Sequence, residues 1–292
     1  MILIDGKKVS AEVRNRLAEE TKILKEKIGK EPGLASVLVG DDPASAVYVR
    51  NKNKTCSELG FKSFENQLSS DTTEEQLLTM IDDLNCNPNV HGILVQLPLP
   101  DQIDSEKILQ AIDPKKDVDG FHPVNIGRMV LGLPCFLPAT PFGIITLIEN
   151  FNINTTGKRC LIIGRSDIVG TPMSILMSRN TKFANCTVTL AHSKTKNLDF
   201  LTKNSDIIIV ALGKPKFLKK EMIKESTVII DVGINRIQSN EKKSGWALVG
   251  DVDFHFVKDK ASHITPVPGG VGPMTIVSLL KNTLLSYKRV IY

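Results

Sequence analysis

Short apolar runs alternate along this chain with longer stretches whose apolar positions recur every three to four residues. Residues 7–28 carry Val9, Val13, Leu17, Ile23 and Leu24 at helical spacing. The run LASVLV at 34–39 ends at Gly40 and predicts a buried strand. A helix is expected over 44–59, closed by Gly60 at its C-terminus, then a strand over 62–68. Asp71-Thr72-Thr73-Glu74-Glu75 offers a capping box ahead of a helix reaching about Leu84. HGILVQ at 91–96 reads as a further strand, stopped by Pro98 and Pro100. Residues 113–141, broken by Pro and Gly, predict loops around one short helix and a natural hinge. A helix over 140–150 follows, with Pro141 in its first turn.

A second alternating block begins there. Strands are predicted at 159–163, 187–190, 206–211, 228–232 and 247–249, and helices at 170–179, 198–203 and 219–223. A last helix over 274–287 follows a loop dense in Gly and Pro. Alternating strands and helices imply parallel sheets with helices on their faces, so the fold class is α/β, built as two α/β domains. In that architecture ligands bind at the C-terminal ends of strands, and a cleft between the domains is the expected site.

Composition narrows the function classes. The 292 residues include 37 Lys and Arg against 32 Asp and Glu, a formal charge of +5, with 41% hydrophobic and 24% charged positions. That is an ordinary globular balance, and it excludes disordered, collagen-like and low-complexity classes. Five cysteines, Cys56, Cys86, Cys135, Cys160 and Cys186, form no CxxC pair and have no histidine at ligand spacing. No disulfide framework or metal site is expected, and reduced thiols suit a cytoplasmic compartment. The N-terminus lacks the basic and apolar regions of a signal peptide, and no apolar run is long enough to span a membrane. The lysines are scattered and aromatics are only 5%, so neither nucleic acid nor a membrane is an expected partner. A pocket for an anionic small molecule accounts for the positive balance equally well.

Three groups of residues carry candidate chemistry. In RCLIIGRSDIVG at 159–170 a strand runs into Gly164, then a loop, then a helix from Gly170. Such a junction lets backbone approach a phosphate at a helix N-terminus. The spacing departs from GxGxxG, with Ser166 in place of the second glycine. After the next strand an NAD site usually places an acid on the ribose 2′-hydroxyl. Here the chain reads His192-Ser193-Lys194-Thr195-Lys196, with no acid, and Arg165 adds a cation. A 2′-phosphate would be welcome, which favours NADP. The second group is Tyr48-Val49-Arg50-Asn51-Lys52, where a phenol and an amine share a helix face. The third sits at strand ends: Gln96 in VQLPLP, Asp117 and Asp119 in DVDGFHP, and the Gly/Pro loop 266–275. DxDG can suggest calcium, but the remaining ligands of a calcium loop are absent. Asp119 can instead accept hydrogen bonds from an amino-heterocycle.

In this order these motifs resemble the bifunctional methylenetetrahydrofolate dehydrogenase/methenyltetrahydrofolate cyclohydrolase family over nearly the whole chain. GRSDIVGTP at 164–172, HSKT at 192–195, DVGIN at 231–235, GDVDF at 250–254 and TPVPGGVGPMT at 265–275 complete the match. The resemblance implies NADP-dependent oxidation of 5,10-methylenetetrahydrofolate, then hydrolysis to 10-formyltetrahydrofolate. It implies Lys52 as the catalytic lysine, Gln96 as its tuning partner, Tyr48 bordering the folate, and Asp119 on the pterin edge, with Leu97, Pro268 and Gly269 also at the folate. For the cofactor it implies Gly164, Arg165, Ser166 and Gly170 at the phosphates, Arg165 and Ser193 at the 2′-phosphate, Thr275 with Gly269, Gly270 and Gly272 on the nicotinamide side, and Gly233 and Ile234 as further cofactor contacts. The implied catalytic domain is 1–139 plus 273–292, with a Rossmann-type, doubly wound NADP domain at 140–272 and the C-terminal helix returning to the first domain. A homodimer through the dinucleotide-binding domains is implied as well. Pro138-Ala139-Thr140-Pro141 departs from the family's common Pro-Cys-Thr-Pro, which argues against an essential cysteine there. Competing readings are a shikimate-like NADP dehydrogenase, a dehydrogenase without the hydrolytic step, and a nucleotide-sensing protein without turnover.

Overall fold

The computed structural model describes residues 1–239 and 245–292, with residues 43–48 described in backbone alone. In chain order the elements are β1 (Ile2–Leu3), α1 (Gly6–Ile28), β2 (Gly33–Val39), α2 (Pro43–Glu58), β3 (Lys62–Leu68), α3 (Glu74–Cys86) and β4 (Gly92–Val95). Then come α4 (Ser105–Ala111), α5 (Pro123–Leu131), α6 (Ala139–Asn150), β5 (Arg159–Ile163), α7 (Gly170–Ser178), β6 (Thr187–Ala191), α8 (Leu198–Lys203) and β7 (Ile207–Val210). The remainder is β8 (Thr227–Asp231), β9 (Asn235–Gln238), β10 (Trp246–Val249), α9 (Phe254–Val257), β11 (Ala261–Ile264) and α10 (Val271–Tyr287).

The chain divides into two compact units, one of Met1–Ala11 with Thr140–Thr275, the other of Glu12–Ala139 with Ile276–Tyr292. The expectation had placed residues 1–139 together. The first eleven residues instead group with the six-stranded unit, because β1 pairs in parallel with β11, Ile2 opposite His263.

In that unit the described sheet order is β1-β11-β8-β7-β5-β6, parallel throughout. The chain leaves β5 for β6 on one side and crosses back to β7 on the other. The C-terminal end of β5 is therefore a topological switch point, the place where doubly wound sheets bind ligands. Strands β7 and β8 are buried along their whole length, as expected of strands covered on both faces. Leu161, Ile208 and Ile229 from the sheet pack with Leu218, Ile223 and Val257.

The other unit is built on a three-stranded parallel sheet, β3-β2-β4. Its middle strand β2 is wholly buried, as the apolar run 34–39 requires. Val37, Ile93 and Val95 pack against Leu77 and Ile81 of α3 and Ile108 of α4. Thr73 caps α3: its hydroxyl accepts from the Gln76 amide (3.3 Å), and its own amide donates to the Gln76 side chain (2.9 Å). Here too the chain visits one side of the middle strand and then the other, so the ends of β2 and β4 form a second switch point.

Sequence pattern missed β1, α4, β9, α9 and β11, all short, and the segment expected as a helix over 219–223 tightens to one 3₁₀ turn at Lys220–Met222. The final helix begins at Val271 rather than 274.

Candidate active site

Lys52 lies on α2, whose chain leaves the end of β2 through Gly40 in the left-handed region (φ 86°). Its side chain is 4% exposed. The ammonium end reaches the amide oxygen of Gln96 at 3.4 Å. Gln96 directly follows β4 and is held there twice: its backbone amide donates to the Val37 carbonyl (2.9 Å) and its side-chain amide donates to the Leu97 carbonyl (2.8 Å). The third member is Asp119, close enough for its charge to act on Lys52. Burial drives the Lys52 pKa below the usual lysine range, and Asp119 partly opposes this. Burial pushes Asp119 up to about 6, with Lys52 opposing and Asp117 adding to the rise. The structure thus brings Lys52 against Gln96 near the ends of β2 and β4, within reach of the Asp119 charge, and Leu97 follows Gln96 in the chain. Tyr48, the other candidate on α2, lies outside the residues whose side chains are described.

The two carboxylates of DVDG do different work. Asp117 is 2% exposed, and its oxygens accept from the backbone amides of Gly120 (3.1 Å), Phe121 (3.2 Å) and His122 (2.9 Å) and from the Asn125 side chain (2.9 Å). It folds its own loop and has little capacity left for a ligand. Asp119 keeps part of its surface open. The loop is pinned beside β4 by the Ile93 amide donating to the Lys116 carbonyl (2.8 Å).

In the six-stranded unit, β5 ends at Gly164 (φ 117°), where a Cβ would lie 2.1 Å from the Ala211 carbonyl oxygen. A Cβ on Gly170 would lie 1.9 Å from the Gly164 carbonyl oxygen. Both glycines are therefore required for strand and helix to meet this closely. No side chain caps the start of α7; the Thr171 amide donates to the Ser166 carbonyl (3.0 Å), Pro172 has no N–H, and Gly170 carries the remaining first-turn amide. Ser166 turns the loop by accepting from the Val169 amide (3.3 Å). Arg165 and Ser193 are exposed at the ends of neighbouring strands β5 and β6, joined where the Gly164 amide donates to the Ala191 carbonyl (2.9 Å). The turn after β6 carries Lys194 and Lys196 and no acid.

A second cluster in this unit surrounds Asp231 and Asp251. Asp231 accepts from the amides of Gly233 (3.0 Å), Asp251 (2.9 Å) and Val252 (2.9 Å), and burial pushes it up to about 7. Asp251, fully buried, accepts from Leu212 (2.6 Å), Gly213 (2.9 Å) and the Asn235 side chain (2.8 Å). These acids tie together the loops after β7, β8 and β10. They present Ile234, 61% exposed, and a Cβ on Gly272 would meet its side chain at 3.4 Å. Thr275 shares a hydrogen bond with Thr140 (3.1 Å). Pro268, after a cis peptide bond, and Gly269 (φ 110°) lie where the Gly269 carbonyl accepts from the Lys7 amide at 3.0 Å.

Residues 4–119 match the model of the tetrahydrofolate dehydrogenase/cyclohydrolase catalytic domain, and residues 138–291 match that of its NAD(P)-binding domain. The chain belongs to the tetrahydrofolate dehydrogenase/cyclohydrolase family. It is 55% identical over 292 residues to the bifunctional protein FolD of Chlorobium chlorochromatii, 99% of each chain being covered. Among solved structures it is similar to the FolD methylenetetrahydrofolate dehydrogenase/cyclohydrolase of Campylobacter jejuni (49% identity, TM-score 0.94, 99% of each chain). It is also similar to the Trypanosoma brucei FolD complexed with NADP and an inhibitor (36% identity, TM-score 0.93, 100% of this chain and 98% of that one).

For a tetrahydrofolate dehydrogenase/cyclohydrolase, sequence reading missed the second tier of the site. Asn125, Asp231 and Asp251 fix the loops that carry Asp119, Gly233 and Ile234. A signal was present: DVDG, DVG and GDVD each set an acid one or two residues from a glycine. Only the structure tells which acid faces its own backbone.

Proposed function

We propose that this tetrahydrofolate dehydrogenase/cyclohydrolase catalyses two successive steps. The first is NADP-dependent oxidation of 5,10-methylenetetrahydrofolate to 5,10-methenyltetrahydrofolate. The second is hydrolysis of that product to 10-formyltetrahydrofolate. The observation that carries the reading is a buried lysine, Lys52, set against the Gln96 amide oxygen with the Asp119 carboxyl nearby. A sensing protein has no use for an amine driven toward neutrality by burial.

The arrangement suits the hydrolytic step. A neutral Lys52 amine takes the proton of the water whose oxygen bonds to the methenyl carbon. The carbon–N5 bond then breaks, N5 receives a proton, and the formyl group remains on N10. One proton is released overall. A general base works best with a pKa near the working pH, and burial moves Lys52 that way. The cationic substrate moves it further in the same direction. Gln96, anchored at both ends of its side chain's reach, orients the amine by accepting from it. Asp119 accepts from the amino-pyrimidine edge of the pterin, and Tyr48, Leu97, Pro268 and Gly269 border the folate.

The β5–α7 junction fits a dinucleotide. Its glycines leave no Cβ above the helix start, Arg165 offers a charge, and no acid follows β6 to repel a 2′-phosphate. Gly164, Arg165, Ser166, Gly170 and Ser193 would hold the phosphates of NADP, and Gly233, Ile234, Gly272 and Thr275 its nicotinamide side. When bound, NADP⁺ accepts the hydride that leaves the methylene carbon. A homodimer through the six-stranded unit and a cytoplasmic site of action complete the proposal. Small folates are its partners rather than nucleic acid or a membrane, and no described helix is long and apolar enough to cross one.

The test is spectrophotometric. Purified protein is given 5,10-methylenetetrahydrofolate with NADP⁺ or NAD⁺, and separately 5,10-methenyltetrahydrofolate, whose decay is followed above the uncatalysed rate. NADP⁺ reduction exceeding NAD⁺ reduction, together with accelerated decay, supports the reading. A folded protein silent in both assays overturns it.

A further inference from the structure

The carboxylate of Asp119 sits on a loop, and loops hold a ligand-binding group in place only if their backbone is itself fixed. Here the backbone just before Asp119 is held by a side chain far away in sequence. From α10, the Asn282 amide donates to the Val118 carbonyl (2.8 Å) and to the Leu137 carbonyl (2.9 Å). Asp119's own carbonyl accepts from the Ala139 amide (3.2 Å). One asparagine thus bridges the turn that enters Asp119 and the segment at Leu137. A Cβ on Gly120 would come within 2.6 Å of the Leu137–Pro138 peptide, so the loop has no slack on the far side.

The orientation of the Asn282 amide is not interchangeable. Both partners are carbonyl oxygens, so the NH₂ group must face them. Its oxygen is then left buried without a hydrogen-bond partner, and the residue is 1% exposed. A buried acceptor without a partner costs stability. A leucine of similar size would avoid that cost and fill the same space. Its two donated hydrogen bonds go to the carbonyl just before Asp119 and to the Leu137 carbonyl of the segment alongside. Asn125 holds the next turn of the same loop: it donates to Asp117 (2.9 Å) and to the Pro114 carbonyl (3.0 Å), and accepts from the Phe136 amide (3.2 Å) and the Tyr292 hydroxyl (2.9 Å).

We propose that Asn282 is a positioning residue of the folate site, tying the backbone just before Asp119 to the segment at Leu137 so that the Asp119 carboxylate stays at the pterin edge and beside Lys52. It touches neither substrate nor cofactor itself. The inference rests on the folate reading above. It predicts that loosening Asn282 acts on folate recognition in both reactions and leaves the dinucleotide alone, because the β5–α7 junction shares no residue with this clamp. It also predicts a change at Lys52. The charged group bearing on Lys52 is Asp119, and those bearing on Asp119 are Lys52 and Asp117. If Asp119 drifts, Lys52 loses the charge that holds its proton, and the acid limb of the hydrolysis rate moves to lower pH.

The experiment compares wild type, Asn282→Leu and Asn282→Ser, reading the KM for folate, the KM for NADP⁺ and the pH profile of hydrolysis. All three readouts are independent of how much of a preparation is folded, and serine keeps one donor should the leucine variant fail to fold. The expected result is a tenfold or greater rise in folate KM for Asn282→Leu in both reactions. Asn282→Ser should lie between it and wild type. The NADP⁺ KM should stay within twofold, and the acid limb should shift to lower pH. A folate KM within twofold of wild type, a parallel rise of both KM values, or an unmoved acid limb overturns the proposal. If wild type itself turns over no folate, the proposed function fails, which is a separate outcome from wild-type turnover with an indifferent Asn282.

Discussion

The two units meet the same topological problem with opposite materials. Each has a parallel sheet whose middle strand is flanked first on one side and then on the other, and each opens a site at the resulting strand ends. At the end of β5 the chain offers almost no side chain. Gly164 and Gly170 strip the junction of Cβ atoms, leaving the exposed Arg165 beside bare backbone. At the ends of β2 and β4 it offers functional groups instead: an amine, an amide and a carboxyl, two of them with pKa values displaced by burial. Backbone suffices where the task is to hold a large anion. Moving a proton needs a group whose charge state can change, and such groups must be buried and supported. The first kind of site should fail when an atom is added, the second when a group is removed.

The largest effect should come from the second kind. Lys52→Met should lower methenyl hydrolysis by roughly 10²–10⁴-fold, the usual share of a general base, while hydride transfer falls far less. Steady-state rates of the two half-reactions decide this, and full hydrolytic turnover in the variant would remove Lys52 from the mechanism. Adding one carbon to the first kind should come next. Gly164→Ala combines a left-handed backbone with a Cβ pressed 2.1 Å from the Ala211 carbonyl oxygen, so a loss of about 3 kcal/mol of stability is expected, visible as a lower melting temperature. A melting temperature equal to wild type would mean that the junction has room to spare.

Arg165→Ala tests whether the charge at that junction reads the 2′-phosphate. Charge-assisted hydrogen bonds contribute about 1.5–3 kcal/mol, so the NADP⁺ KM should rise roughly 10–150-fold. The NAD⁺ KM should stay nearly constant; equal losses for both would assign Arg165 to the shared phosphates. The smallest effect lies away from both sites, at His91. Its imidazole is lowered from 6.5 to about 4, chiefly by burial and secondarily by Lys116, Arg289 and Lys30, while its Nδ1 accepts from the Gly33 amide (2.9 Å). The unfolded chain therefore takes up this proton first. Stability falls as pH drops from 6.5 towards about 4, by linkage of at most one proton. His91→Gln, which can still accept from Gly33, should flatten that part of the stability profile. An unchanged slope in chemical denaturation across the window would assign the linkage elsewhere.

Most of the architecture was legible because buried parallel strands are continuous apolar runs, and β2, β5, β7 and β8 announce themselves that way. What escaped has a common cause. β1 is only two residues long and β11 is short and half polar, and they become strands only through each other and β8, across some 260 residues that no local pattern spans. The same pairing moved Met1–Ala11 into the six-stranded unit. At the site, Lys52, Gln96 and Asp119 were legible as motifs, and the structure brings them together. The division of labour between Asp117 and Asp119 was not legible. Two acids two residues apart look alike until the loop closes and one of them faces three backbone amides. The supporting asparagine at 282 carried no signal at all, since a polar residue in an apolar helix becomes meaningful only once its partners are known.

That asparagine has a consequence in time. Asn282 and the Val118 carbonyl it holds are 164 residues apart. At synthesis rates of about 5–20 residues per second, the ribosome needs on the order of 10–30 s to make the second after the first. Until then the three-stranded sheet has its strands, its capped helix and its lysine, but the backbone before Asp119 lacks the two hydrogen bonds that Asn282 donates. On the folate reading proposed above, the hold on Asp119 is completed by the last helix to leave the ribosome.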